Sequence, residues 1–501
     1  MSRWNFGHNV LVQPSVCYTP ATEAEVLEIL DRHRGQRIRC CGRLHSWSPV
    51  LQTEDVLLDL RELRDVRVEQ HAGEPVVHVG AGCQVKRLLA ELEQQQLTLP
   101  SVGFITEQSI AGAIATGTHG SGRHSLSHYV VAVRVAIDNP ETGAAQICEI
   151  NSGDELRAAR CSLGLLGVVL SVTMQCRTPY CVEEQFREYR HVRDVLAAED
   201  EFPLQQFYLI PWRWSCIAQH RREVDGPPTL LGVIYRWYRF LTFDVLMHWY
   251  ILLLVHIIGS PAVIRFSFRR LIPALVVRNW PAVGPSSKQM VMEHELFRHG
   301  ETELFVQRHR LDEAIEYVRQ LITSCGEADA PVTPEFEAQI DRVNAREQWQ
   351  MLRGTYCHHF PICVRKVLPD DTLISMASNI GIVASIDGGG EFHAESPAAV
   401  HAPMGPASPT EPWYAITFTN YHPRGSHLPF DQFVALLLHS MHHLFGARAH
   451  WGKLCPLPVA DLTALYPEFS KFRAIVAGMN PAARFQNQWT RELLESGLRE
   501  P

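Results

Sequence analysis

The chain has no run of lysines and arginines, and its net charge is −8 over 501 residues. A nucleic-acid platform is therefore excluded as its main role. No Cys-x-x-Cys pair occurs, the 13 cysteines are odd in number, and Cys40 and Cys41 are adjacent. That pattern offers neither a disulfide framework nor zinc spacing, so it predicts a reduced, cytosol-facing protein without a metal. The opening residues, MSRWNFGHNVLVQPSV, lack the apolar core of a secretory signal. No repeat period is visible. Charged residues are only 20% of the chain and hydrophobic ones 46%, which excludes a disordered or fibrous protein. A length of 501 residues predicts two to four domains.

Residues 1–180 read as α/β. The segment ATEAEVLEILDRHR has helical periodicity, with Thr22 as N-cap and Glu25 three residues on, a capping box. RIRCCG, VLLDL and VVHVGAG read as strands, CQVKRLLAELEQQQL as a helix, and YVVAVRVAI and GVVLSVTMQC as β-rich. A second region covers about 181–446. There ELFVQRHRLDEAIEYVRQLITSC and FDQFVALLLHSMHHLFG both read as long apolar helices, and Glu391–Pro412 as a mobile surface loop. Between 230 and 277 lies the most unusual segment. FLTFDVLMHWYILLLVHIIGSPAVI is almost wholly apolar, flanked by Arg236 and Arg239 and by Arg265, Arg269 and Arg270. A membrane span, a buried domain helix and an interfacial helix all remain open, with Asp244 arguing against the span.

Three stretches concentrate polar and small residues. In the first, Gly42-Arg43-Leu44-His45-Ser46 follows a strand, and the glycine permits close backbone approach. The second, SIAGAIATGTHGSG from Ser109 to Gly122, suits backbone packed on a flat or phosphorylated ligand. It follows neither the Rossmann spacing nor the P-loop pattern. The third, RAHWGK, sets His450 and Lys453 beside an aromatic.

Together these stretches resemble the vanillyl-alcohol-oxidase-type flavoproteins, in particular the sugar-1,4-lactone oxidase and alditol oxidase branch. SLGLLGVV at 162–169 and FQNQW at 485–489 extend the likeness over nearly the whole chain, with 223–290 matching less well, as an expanded insertion. The resemblance implies an α+β protein. A two-part PCMH-type FAD-binding domain would come from 1–180 and 447–501, and a cap with an antiparallel sheet and helices from 181–446. It implies FAD bound covalently through His45. Gly42, Arg43, Leu44, Ser46, Ser101, Ser109, Gly112, Thr118, His119, Gly120, Gly164 and Val168 would line the cofactor.

In the same way the resemblance makes Lys453 the lysine that supports reduced flavin. Arg365 of PICVR matches the Arg of the family's Glu-x-Arg strand, and Cys363 stands where the Glu belongs. A neutral thiol does not replace a carboxylate bound to a substrate hydroxyl. Phe104 falls where a Ser is expected and Thr417 where a His is expected, and His450 joins them in the substrate pocket. The implied reaction is hydride transfer from a sugar-1,4-lactone or related secondary alcohol to flavin N5, with O2 or another acceptor following. The altered pocket and the apolar insertion keep open a membrane-associated enzyme acting on a lipid-linked sugar or other amphiphile, with membrane contact through 230–277. A catalytically poor flavin-binding scaffold also stays open, because of Cys363. The expected location is a cytoplasm-facing membrane, the endoplasmic reticulum or another intracellular one in a eukaryote.

Overall fold

A computed structural model describes residues 2–71, 73–292, 296–379, 410–421, 427–456 and 462–496. Most of the loop expected over 391–412 lies outside them. The chain divides into two compact units. The first comprises Met1–Pro179, Leu368–Glu411 and Val459–Pro501, and the second Tyr180–Val367 and Pro412–Pro458.

The first unit begins on parallel pairing. Val16–Tyr18 and Ile38–Cys41 flank the buried strand Val56–Asp59. The intervening helix, Glu23–Arg32, starts as its sequence dictates: Thr22 Oγ1 accepts the Glu25 N–H at 3.2 Å. The Glu25 carboxylate reaches one residue further back than a capping box requires and accepts the Ala21 N–H. A five-stranded antiparallel sheet follows, in the order Val66–His71, Glu74–Gly80, Val168–Gln175, Val130–Asp138, Ala145–Ile150.

The C-terminal segment returns to this unit through two buried polar residues. The Arg39 guanidinium donates to the carbonyls of Val50, Leu163, Gly164 and Phe485, at 2.5–3.3 Å. Asn487 Nδ2 donates to the carbonyls of Pro49, Val50 and Gln52. FQNQW therefore satisfies backbone groups of the N-terminal strands and turns.

The second unit is built on an eight-stranded antiparallel sheet. Its order is Ala282–Pro285, Cys181–Tyr189, Cys216–Val224, Gln206–Leu209, Ile362–Val367, Trp413–Asn420, Gly300–Gln307, Arg448–Ala449. The α+β expectation holds, and so does the antiparallel cap. The first compact unit runs to Pro179, 447–458 lies in the second unit and the stretch from Leu368 in the first. The reason is pairing, since Arg448–Ala449 adds an edge strand to Gly300–Gln307.

One local expectation is corrected. ELFVQ is a strand, Gly300–Gln307, and the helix begins only at Leu311. Burial on both faces conceals the period of two that would distinguish a strand. The other long helix forms as expected over Leu428–Phe445 and stops at Gly446, whose φ of 62° is left-handed.

Candidate active site

In the first unit, three motifs meet with their backbones in near contact. A Cβ on Gly42 would lie 2.0 Å from Ser109 Oγ. On Gly120 it would lie 2.5 Å from the Val102 carbonyl oxygen, and on Gly103 2.7 Å from a Thr118 methyl. These distances are too short for any side chain, so the glycines let segments 42–46, 101–104 and 109–120 converge.

Leu44, at φ 59°, holds a left-handed conformation that costs a β-carbon residue about 1 kcal/mol or more. It delivers His45 into the interior, where the imidazole is 9% exposed and stacked on Phe6 at 5.0 Å. His119 is buried with Nδ1 2.9 Å from the Gly120 carbonyl, and Thr118 Oγ1 donates to Gln108 at 3.2 Å. Ser101 Oγ is buried and has no hydrogen-bond partner among the described residues. Leu163 and Gly164 both have positive φ, with their carbonyls held by Arg39, and Val168 is buried at a strand start. Gly112 and the Arg43 side chain are exposed. Phe104 is half-buried in the segment after Ser101.

The second unit carries the remaining predicted residues on one face of its sheet. Register places Tyr208, Cys363, Thr417 and Glu303 directly across from one another on successive strands. Gln206 lies opposite Arg365 in the next row. The Arg365 guanidinium is ion-paired with the Glu303 carboxylate, which also accepts from Thr417 Oγ1 at 2.7 Å. Next to Glu303 on the same face, Glu301 pairs with Lys453 Nζ at 2.5 Å. His450 Nδ1 accepts the Gly452 N–H, so Nε2 carries the ring proton of the neutral form, and it lies 4.0 Å from Glu303. The His-Trp-Gly-Lys turn is held by backbone bonds from His450 N–H to the Glu303 carbonyl and from Leu454 N–H to the Glu301 carbonyl.

Sequence reasoning missed Glu301 and Glu303. Their signal was the i, i+2 spacing in Gly-Glu-Thr-Glu, hidden by the helical reading of that stretch.

Charge on this face is strongly set. Burial opposes the ionised form of Glu301, yet Lys453 and His299 overcome it and bring the carboxyl down from its ordinary 4.5 to about 2. It therefore stays ionised through mildly acidic pH. Burial lowers and Glu303 raises the affinity of Arg365 for its proton, with a net rise. Burial pushes the Cys363 thiol up to about 12 against the pull of Arg365. Cys363 is thus a neutral thiol at working pH and cannot act as a base.

The model of an FAD binding domain matches residues 14–142, and the model of D-arabinono-1,4-lactone oxidase matches 204–493. The chain belongs to the D-arabinono-1,4-lactone oxidase family. It is 48% identical over 494 residues to a long-chain alcohol oxidase of an uncultured marine euryarchaeote, covering 99% of this chain and 97% of that one. It is 25% identical over 502 residues to an L-gulono-1,4-lactone dehydrogenase of Mycobacterium tuberculosis, covering 96% of each. A crystal structure of cholesterol oxidase from B. sterolicum superposes with a TM-score of 0.70 at 15% identity, over 98% of this chain and 96% of that one. The fold is thus the PCMH-type FAD-binding fold. The protein is an FAD-dependent oxidoreductase of the lactone and alcohol oxidase family. The residues fit the cofactor: glycine-lined convergence of three segments, the buried Ser101 hydroxyl and a buried imidazole at His45 suit a large flat ligand with a phosphate tail.

Proposed function

We propose that this family member oxidises an alcohol bearing a long apolar chain to the carbonyl compound. The observation that carries the reading is the residue set on the sheet face of the second unit. It holds a buried carboxylate–guanidinium pair, Glu303 and Arg365, with a neutral thiol at Cys363 where the resemblance expects a glutamate. A monohydric alcohol needs one base and one cation, whereas a polyhydroxy lactone needs further polar partners for its other hydroxyls. The apolar Phe104 supports the same direction, as does the 48% identity to a long-chain alcohol oxidase.

In this mechanism the Glu303 carboxylate accepts the hydroxyl proton, and Arg365 stabilises the negative charge developing on that oxygen. FAD supplies the acceptor for the hydride leaving the same carbon. Lys453, fixed by Glu301, would supply positive charge to stabilise the reduced cofactor, with O2 or another acceptor taking up its electrons.

A second reading, a sugar-1,4-lactone as substrate, is favoured by the family model over 204–493. Anaerobic addition of 1-dodecanol and of L-gulono-1,4-lactone separates the two. Bleaching of the flavin band by the alcohol alone is expected, and bleaching by the lactone alone would replace our reading with the second. Cys363→Glu should raise turnover of lactones or polyols. No gain, with flavin retained, would remove Cys363 as the deciding change.

His45 is our candidate for covalent FAD attachment, since the strained Leu44 turn presents its buried ring. Acid-precipitated wild-type protein should remain yellow and the His45→Ala pellet should be colourless. A yellow variant pellet would reject the assignment.

A further inference from the structure

Residues 230–258 form one helix of 29 residues, with wider π-type turns over Phe240–Leu246 and Leu253–Ile258. It is long and apolar enough to cross a membrane, yet its polarity runs opposite to that of a helix on a water-facing domain. Arg236 is exposed, but Arg239, Thr242, Asp244 and His248 point inward. Arg239 donates to the buried Glu184 carboxylate at 3.1 Å, and Thr242 and Asp244 are buried. His248 hydrogen-bonds the Tyr421 hydroxyl within the same unit. The outward face is apolar. No exposed residue between Phe240 and Ile264 carries a charge, a hydroxyl or an amide, and Trp249 is 63% and Ile257 72% exposed. Sixteen of the twenty large apolar side chains exposed among the described residues fall within 230–277. Such concentration in a tenth of the chain marks a surface that water does not normally face.

We propose that the 230–277 face docks on one leaflet of a lipid bilayer, with the helix lying in the plane of the headgroup–acyl boundary. Spanning is incompatible with the inward bonds, because it would strip Arg239 from Glu184 and place Asp244 in hydrocarbon. Exposed arginines at the rim, Arg236, Arg269 and Arg270, suit anionic headgroups, while Trp237 and Trp249 suit the interface. The same arginines argue against a second copy of the chain as occupant. A two-fold contact across this face would bring like charges into proximity with no exposed acidic residue between 230 and 277 to compensate.

The inference concerns attachment alone and holds whichever alcohol is oxidised. The test is flotation of the holoenzyme with vesicles of phosphatidylcholine and phosphatidylglycerol at a 3:1 ratio in physiological salt. Wild-type protein is expected to float. The triple substitution Leu246→Glu, Trp249→Glu, Ile257→Glu changes exposed side chains only, so flavin absorbance should be retained while the floating fraction falls at least tenfold. Wild-type protein remaining in the dense fraction, or a variant floating as well as wild type, would overturn the proposal. So would resistance of the bound protein to an alkaline carbonate wash, which indicates a span. A lipid-independent dimer dissociated by the triple substitution would make a second copy the occupant. Should the variant fail to fold, quenching of wild-type tryptophan fluorescence by brominated lipid is the second readout. Quenching is expected, and its absence would reject docking.

Discussion

Glu303→Gln is expected to lower kcat for alcohol oxidation by about 10²–10⁴-fold, the usual contribution of a positioned base. Gln keeps the shape and can still accept from Thr417, whose Oγ1 lies 2.7 Å from the carboxylate. It loses the ability to take the hydroxyl proton and the charge that pairs with Arg365. KM should change much less than kcat, because the lost interaction is made as the proton transfers. The flavin spectrum should be unaltered, since no predicted cofactor residue is touched. Stopped-flow reduction under anaerobic conditions measures the step directly. A reductive rate within threefold of wild type would remove Glu303 from the proton path and leave the role of base to another group.

Arg39→Met is the change expected to cost the most stability. Four carbonyls, those of Val50, Leu163, Gly164 and Phe485, would lose the guanidinium at once, and of these Val50 keeps Asn487 Nδ2 as a donor. Each buried acceptor left unpaired costs about 1–3 kcal/mol. Part is recovered because a buried cation is no longer needed. Burial, against an opposing pull from Cys40, brings the guanidinium down to about 10, a sign that its charge is itself unfavourable there. The net loss should be on the order of 3–5 kcal/mol. At ~2–4 °C per kcal/mol for a unit of this size, melting should fall by roughly 10 °C. Flavin fluorescence should rise with the transition without release of a covalently held flavin, because Leu163 and Gly164 belong to a predicted cofactor stretch. A differential scan together with flavin fluorescence tests both points. A shift below about 3 °C would show that water or neighbouring donors replace the guanidinium.

Much of this protein was readable before any fold was known, for reasons that differ by element. The helix at Glu23–Arg32 was legible because its cap and its periodicity are local. So were Val130–Asp138 and Val168–Gln175, rich in β-branched residues. The glycine motifs were legible because backbone convergence tolerates almost no alternative residue, as the distances at Gly42 and Gly120 make plain. Glu301 and Glu303 were not legible. A strand buried on both faces shows no alternation of exposure, and the apolar run continuing into Leu311–Gly326 imitates one long helix. Nor could sequence spacing bring Lys453 to Glu301, 152 residues away, since that pairing depends on an edge strand added across the sheet.

The sequence by itself determined the family, the cofactor, the positions of the glycine-rich motifs and the existence of an unusual apolar segment. Each of these rests on local residue identity and order, which short-range sterics and hydrogen bonding interpret directly. Only the tertiary structure decided which carboxylate stands beside Arg365, and which side of the 230–258 helix faces outward. Sheet register and helix rotation are set by long-range packing. A shift of one residue in a strand, or of 100° around a helix axis, exchanges an inward group for an outward one without altering the sequence.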